Sequence, residues 1–192
     1  DLTAAQPETS CTMEVAMPTF AIGFKCSPSE AEPLRREIVG EIAAEILAGE
    51  SSVLYQRLYE RGLIDAGFSV GYESVKDACL LSATGDSRDP EAIMQALLDE
   101  AARIVKEGFD RAQFDRLVRS AVGRRTRDLD SFESICYLMG GSYYFDGVDY
   151  LRFPEVYASV VPEDVQSFLT ETVRPERAAL SVVRPKEGEK IQ

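Results

Sequence analysis

Residues 79–104 read CLLSATGDSRDPEAIMQALLDEAARI, and the character of the chain changes partway along. Cys79–Gly85 has strand composition, closed by a glycine. From Asp89-Pro90 onward Ile93, Leu97, Ala101 and Ile104 recur three or four residues apart, so they share one helical face, and Gly108 stops the run. A strand running into an amphipathic helix is the unit from which the rest of the chain can be assembled.

Upstream of this unit, Phe68, Val70 and Tyr72 alternate with Gly67, Ser69 and Gly71, the pattern of a second strand. ESVKD, residues 73–77, supplies a hairpin loop between the two. The small residues on one face predict that something packs close to that backbone. Before it, residues 51–63 read SSVLYQRLYERGL. Ser51 or Ser52 can cap a helix here, Leu54 and Leu58 face inward, and Gly62 can take the left-handed conformation, with Leu63 as the apolar residue that follows such a cap. Local chemistry accounts for those residues but not for Tyr55, Arg57, Tyr59 and Arg61.

Earlier still, Ser27-Pro28-Ser29-Glu30 has the form of a capping box, and Leu34, Ile38, Ile42 and Ile46 follow as the stripe of a long amphipathic helix closed by Gly49. Phe20, Ile22, Phe24 and Cys26 lie on one face of a half-buried strand after Pro18.

Downstream, Asp110 caps a helix with Gln113 as its box partner and Phe114, Leu117, Val118 and Ala121 on its stripe. GRRTR, residues 123–127, reads as a solvated basic face among acidic neighbours. DLDSFESICYLMGGSYYF, residues 128–145, predicts a third helix ending near Gly140 or Gly141, and residues 146–160 a turn and a helical piece. Pro162 opens a last helix striped by Val165, Phe168 and Leu169, and AALSVVRP, residues 178–185, is a closing strand.

Strands at both ends of a helical block define an α+β class: one mostly antiparallel sheet with a layer of helices on one face. No linker divides the chain, so a single domain is expected over residues 1–192, with flexible ends at 1–11 and 186–192.

Composition narrows the function. The 33 acidic and 21 basic side chains of the 192 residues leave a net charge of -12, which repels phosphate backbones and anionic lipid. Nucleic acid and membrane surfaces are excluded as expected partners. No apolar run approaches the ~20 residues of a membrane span, and DLTAAQPETS lacks the features of a signal segment. A cytoplasmic location follows as the expectation. The first residue is Asp1 rather than methionine, in keeping with a part of something longer.

Cys11, Cys26, Cys79 and Cys136 lack metal-knuckle spacing and read mostly as small buried hydrophobes. Most informative is the absence of histidine. No Ser-His-Asp triad, Cys-His pair or histidine-based zinc site can be built from this chain. A stand-alone carboxylate enzyme, using a pair such as Asp146 and Asp149, is the reading that these exclusions leave open.

The ordered motifs resemble a known family. PTFAIGFK at 18–25, SSVLYQRLYERGL at 51–63, the Asp89-Pro90 helix, GFDRAQFDRLV at 108–118 and VVPEDVQSFLTETVRPERAALSVVRP at 160–185 are together similar to the C-terminal, non-metal-binding half of insulinase-like (pitrilysin-type) zinc metallopeptidases. The likeness is to a bacterial branch with L-Y-x-x-L-Y-x-x-G-L-I-D. It implies a clamshell of homologous halves, in which zinc and its H-x-x-E-H ligands belong to the N-terminal half. This chain would be the facing half, non-catalytic, enclosing a peptide substrate against an N-terminal catalytic domain or a sister chain, and a dimer is an assembly that the resemblance allows. The parent protein would be a zinc metalloendopeptidase or an inactive relative. A non-enzymatic scaffold or assembly subunit of the same superfamily is the alternative.

In many relatives the facing half supplies an arginine and, seven residues later, a tyrosine, around an R-G-L-x-Y ending. Aligning that ending on Arg61-Gly62-Leu63 puts Asp65 in the tyrosine slot and Leu58 or Tyr59 in the arginine slot, so the pair is missing here. Arg61 and Phe68 have the separation but not the register, and Phe68 has no hydroxyl. Tyr55, Tyr59, Arg61 and Phe68 are the candidate contacts to substrate or partner, with no catalytic and no metal-binding residue expected in this chain.

Overall fold

The computed structural model describes residues 2–29, 31–75, 78–138, 140 and 147–186. Five strands form one sheet: β1 (Glu8–Met13), β2 (Thr19–Cys26), β3 (Ser69–Val75), β4 (Ala78–Asp86) and β5 (Ala178–Pro185). Their spatial order is β1-β5-β2-β4-β3, with β1 parallel to β5 and every other pairing antiparallel. The helices are α1 (Pro33–Ala48), α2 (Val53–Glu60), α3 (Pro90–Glu107), α4 (Arg111–Asp128), α5 (Phe132–Leu138), α6 (Phe153–Ser159) and α7 (Pro162–Thr172). This is the α+β arrangement that the period changes predict.

Strand alternation sorts the sheet into two unlike faces. Phe20, Ile22, Phe24 and Cys26 of β2, Leu81 and Ala83 of β4 and Leu180 and Val182 of β5 point into the core beneath the helices. The opposite face carries small and polar residues such as Ala21, Gly23, Ser82, Thr84 and Ser181, exposed or half-buried.

β1 is the strand that the sequence hides. Residues 8–11 fall in the expected flexible end, yet Glu8–Met13 pair with β5 in parallel register along their whole length. All six are exposed, so no buried face imposes an apolar alternation on them. Backbone hydrogen bonds to β5 hold this strand.

Several caps form as the sequence predicts. Asp89 Oδ1 accepts from Ala92 N at 3.0 Å, with Pro90 at the first helical position, and Asp110 Oδ1 accepts from Ala112 N at 2.9 Å. Two do not. Pro33 opens α1, because its missing N–H and its ring are tolerated in the first turn but not deeper, so the helix starts five residues beyond Pro28. Ser29 Oγ instead accepts from Glu32 N, and Glu30 lies outside the described residues. Gln113 likewise forms no box; its amide donates to the Ser51 carbonyl, tying α4 to the start of α2.

Helix α1 is more buried than a surface stripe requires. Val39, Gly40, Ala43, Ala44, Leu47 and Ala48 are covered as well as Leu34, Ile38, Ile42 and Ile46, because α1 packs against β3, α3, α4, α6 and α7. It comes tightly against β3 at Gly40, where a Cβ would stand 2.5 Å from the Tyr72 ring. The sequence reading expected that approach on the Gly67, Ser69 and Gly71 face of β3. At Gly71 that face is open, since a Cβ there would meet nothing within 4 Å, while at Gly67 the Asp65 carboxylate would stand 3.0 Å from a Cβ.

The expected hairpin loop at 73–77 is shorter than its letters suggest, since β3 continues to Val75, paired with Ala78. Residues 76 and 77, the Gly141 end of the third helix, Asp146, and the tail from residue 187 lie outside the described residues. Half of the cysteines are buried as expected, Cys26 and Cys79; Cys11 and Cys136 are exposed.

Candidate functional site

The segment 51–68 is built from its caps inward. Ser52 Oγ accepts from Tyr55 N at 3.0 Å, a cap worth about 1 kcal/mol. Leu54 and Leu58 are fully buried, which sets which face of α2 looks outward. At the other end Gly62 has φ 64°, Gly62 N–H donates to Tyr59 O at 2.9 Å and Leu63 N–H to Leu58 O at 3.0 Å, the Schellman pattern.

Three of the four predicted contacts come together. Tyr59 stacks on Tyr55 with ring centroids 6.1 Å apart, Tyr55 leans on Phe68 at 6.0 Å, and Phe68 meets Phe20 of the core at 6.4 Å. The rings form a ladder from the core to the surface, rooted at Phe68, which is only 5% exposed. Phe68 therefore supports the surface rather than presenting itself on it. Tyr59 is 53% exposed, and Arg61 caps the helix from an exposed position.

Beyond Leu63 the chain crosses the end of the sheet. Asp65 Oδ1 accepts from Gly67 N at 2.8 Å, and a hollow of about 490 Å³ opens on the uncovered sheet face among Thr19, Ala21, Asp65, Thr84, Asp86 and Ser181. Thr19 Oγ1 donates to Asp86 Oδ1 at 2.6 Å. Two carboxylates and no lysine or arginine line this hollow. Asp65 and Asp86 offer this hollow acceptor oxygens. Tyr55, Tyr59, Arg61 and Phe68 lie outside its lining.

A second polar centre was missed by sequence reading. Arg125, expected on a solvated face, is 7% exposed. Its Nη2 donates to Glu37 Oε1 at 2.9 Å and Glu41 Oε1 at 2.7 Å, while Tyr157 Oη donates to Glu41 Oε2 at 3.2 Å. The guanidinium also faces the rings of Tyr150 and Tyr157, 4.8 and 5.5 Å away. Burial opposes its charge, but Glu41, Tyr157 and Glu37 outweigh that and hold its pKa above the usual range. Burial lifts the Glu37 carboxyl above its usual range, against the pull of Arg125. The signal was present: Arg125 continues the 114, 118, 121 spacing of the α4 stripe. A cavity of about 360 Å³ lies beside it, bordered by Glu45, Arg124 and Asp128.

The chain has no histidine, and among the described residues no group of three or more cysteine, aspartate or glutamate side chains is placed to hold a metal ion. The residues present do not fit a catalytic zinc. No helix among them is long and apolar enough to cross a membrane.

The fold is thus an α+β layer with one uncovered sheet face, and among the described residues no metal-binding set is assembled. The sequence profile of the peptidase M16 inactive domain matches residues 2–121, and the chain belongs to that family. It is 27% identical over 186 residues to "Uncharacterized zinc protease YmfH" of Bacillus subtilis (strain 168), covering 93% of this chain and 42% of that protein. An M16-like chain from Alicyclobacillus acidocaldarius superposes with a TM-score of 0.84 at 21% identity, over 97% of this chain and 45% of the other. The peptidase M16 inactive domain from Pseudomonas fluorescens does so at 0.74 and 14% identity, over 96% and 44%. The chain thus spans under half the length of these relatives.

Proposed function

We propose that this chain is the substrate-enclosing, non-catalytic half of a zinc peptidase, closing over a peptide that a homologous half hydrolyses. One observation carries the reading: a chain of the inactive-domain family that contains no histidine at all. The uncovered sheet face supports it, because its mostly small side chains, with Leu80 lying over Gly23, leave an extended wall on the side away from the helices. The catalytic half, carrying the zinc, is the N-terminal part of the same polypeptide or a sister chain.

Without an arginine–tyrosine pair in this half, either a partner chain supplies the oxyanion donor or the peptidase is weak or inactive. A single such donor is worth roughly 10²–10³ in rate. The purified chain is expected to hold far less than one zinc per molecule by metal analysis and to leave a fluorogenic peptide library intact, with cleavage appearing when the catalytic half is added. Stoichiometric tight zinc, or cleavage by this chain alone, would overturn the reading.

Tyr59 and Arg61 are the exposed residues placed to meet substrate or partner. The double variant Tyr59→Ala/Arg61→Ala stays folded, losing about 1 kcal/mol with the Tyr55 stack. Its affinity for the catalytic half or for peptide falls by tenfold or more in a titration. Unchanged affinity would remove both residues from the contact surface.

A further inference from the structure

At the end of the sheet remote from Asp65, two cysteines stand opposite one another, with the Cys26 thiol turned to the Phe24 carbonyl 3.4 Å away. Cys26 of β2 and Cys79 of β4 are direct partners in the antiparallel register, and both side chains lie on the core face, 2% and 8% exposed. The bond from Ser87 N to Pro18 O fixes the phase of that ladder, and counting in from it makes Cys26 and Cys79 a hydrogen-bonded pair. Their Cα atoms are then ~5.5 Å apart, inside the range that a disulfide spans, while the Cβ atoms must close by roughly 1 Å.

The surroundings are unusual for a core. Four buried side-chain atoms lack a hydrogen-bond partner among the described residues, and three of them gather here: Tyr72 Oη, Thr172 Oγ1 and Arg36 Nη2. The Thr172 and Tyr72 hydroxyls face the Cys26 and Cys79 thiols, respectively, and find no stronger acceptor. Ser74 Oγ lies 3.4 Å from Cys79 Sγ. These donors would serve a thiolate better than they serve a thiol. Burial pushes the Cys26 thiol up to about 11, so the anion is a small minority at neutral pH.

We propose that Cys26 and Cys79 are a redox-modifiable pair that closes into a reversible cross-strand disulfide in the presence of a small-molecule disulfide oxidant. Cys79, the more exposed thiol, loses its proton to solvent and attacks oxidised glutathione. The result is a mixed disulfide and one glutathione thiolate. Cys26, deprotonated in turn, attacks the protein sulfur of that mixed disulfide and expels the second glutathione thiolate. Two protein thiols are oxidised and one glutathione disulfide is reduced to two thiols. The ~1 Å closure strains the bond, which keeps it easily reduced. The bridge clamps β2 to β4 at the end of the sheet away from the ring ladder, and it does not depend on the peptidase reading.

The test uses the full chain carrying Cys11→Ser and Cys136→Ser, so that only the paired thiols remain. After incubation of the folded protein with oxidised glutathione, acid quenching, unfolding and alkylation, mass spectrometry should find a linked Cys26–Cys79 peptide and no alkylated thiol. The melting temperature should rise by about 5 °C and return with dithiothreitol. Adding Cys79→Ser to that background should yield at most a glutathione adduct on Cys26, with no such rise. Two alkylatable thiols after treatment, a glutathione adduct that never resolves, or linkage only in protein unfolded beforehand would each overturn the proposal.

Discussion

Replacing Arg125 with alanine destabilises the fold by about 3 kcal/mol at neutral pH, read as a lower urea midpoint. Removing one partner of a buried ion pair costs roughly 3–5 kcal/mol. The lower end applies because the Glu37 and Glu41 side chains keep 33% and 39% of their exposure and can turn toward water. What remains is two carboxylates one helical turn apart on α1, with the Tyr157 hydroxyl bound to one of them. The effect depends on pH with a definite sign. Burial already raises the Glu37 pKa in the folded protein, so its contribution favours folding below the unfolded carboxylate range and is lost as pH rises through the folded value. Without the guanidinium that value rises further. The gap between variant and parent should therefore be smaller at pH 4 than at pH 7. An equal gap at both pH values would mean that lost packing of the arginine stem, rather than lost charge, sets the cost. Glu37→Gln in the variant should recover part of the loss at pH 7.

Gly40→Val should cost about 4 kcal/mol and Gly40→Ala about 2 kcal/mol. Helix propensity alone argues the other way, since alanine is favoured over glycine inside a helix by about 1 kcal/mol. Sterics decide the outcome. A Cβ at Gly40 would lie 2.5, 2.6 and 2.8 Å from three atoms of the Tyr72 ring, and overpacking of a core costs roughly 1–3 kcal/mol or more. The ring has little room to retreat, because its far side packs edge-on against Phe168 with centroids 5.7 Å apart. Tyr72→Ala should make the same glycine substitution nearly neutral, a coupling that denaturation of the four proteins in a double-mutant cycle would measure. A Gly40→Ala protein as stable as its parent would show that α1 can move away from β3 without loss.

Much of the helix and strand order could be read directly. Asp89-Pro90, Ser52 and Gly62 act through atoms within a few residues of themselves, so their roles are written locally. The stripes of α3 and α7 were legible for the same reason: a face repeated every three or four residues has to be buried somewhere. Gln113 was misread because its short-range partner and the Ser51 carbonyl, 62 residues away, compete for one amide, and only the packed chain brings the second within reach. The candidate contacts were half legible. The aromatic spacing in α2 marks a ladder, but Phe68 at its root could not be told from a surface ring, since alternation shows that a strand has two faces and not which is covered.

By itself, then, the sequence determined the α+β class, the period and capping of most elements, the absence of imidazole chemistry and the resemblance to an inactive peptidase half. These are properties of composition and of neighbours along the chain. The tertiary structure alone decided that Arg125 is buried, that a ring packs against Gly40 and not against Gly71, that Glu8–Met13 pair with β5, and that Cys26 stands opposite Cys79. Each depends on groups brought together across 32 to 172 residues of sequence, from Gly40 and Tyr72 to Glu8 and Leu180. Burial and pairing over such distances follow from the global packing that excludes water, which no local pattern encodes.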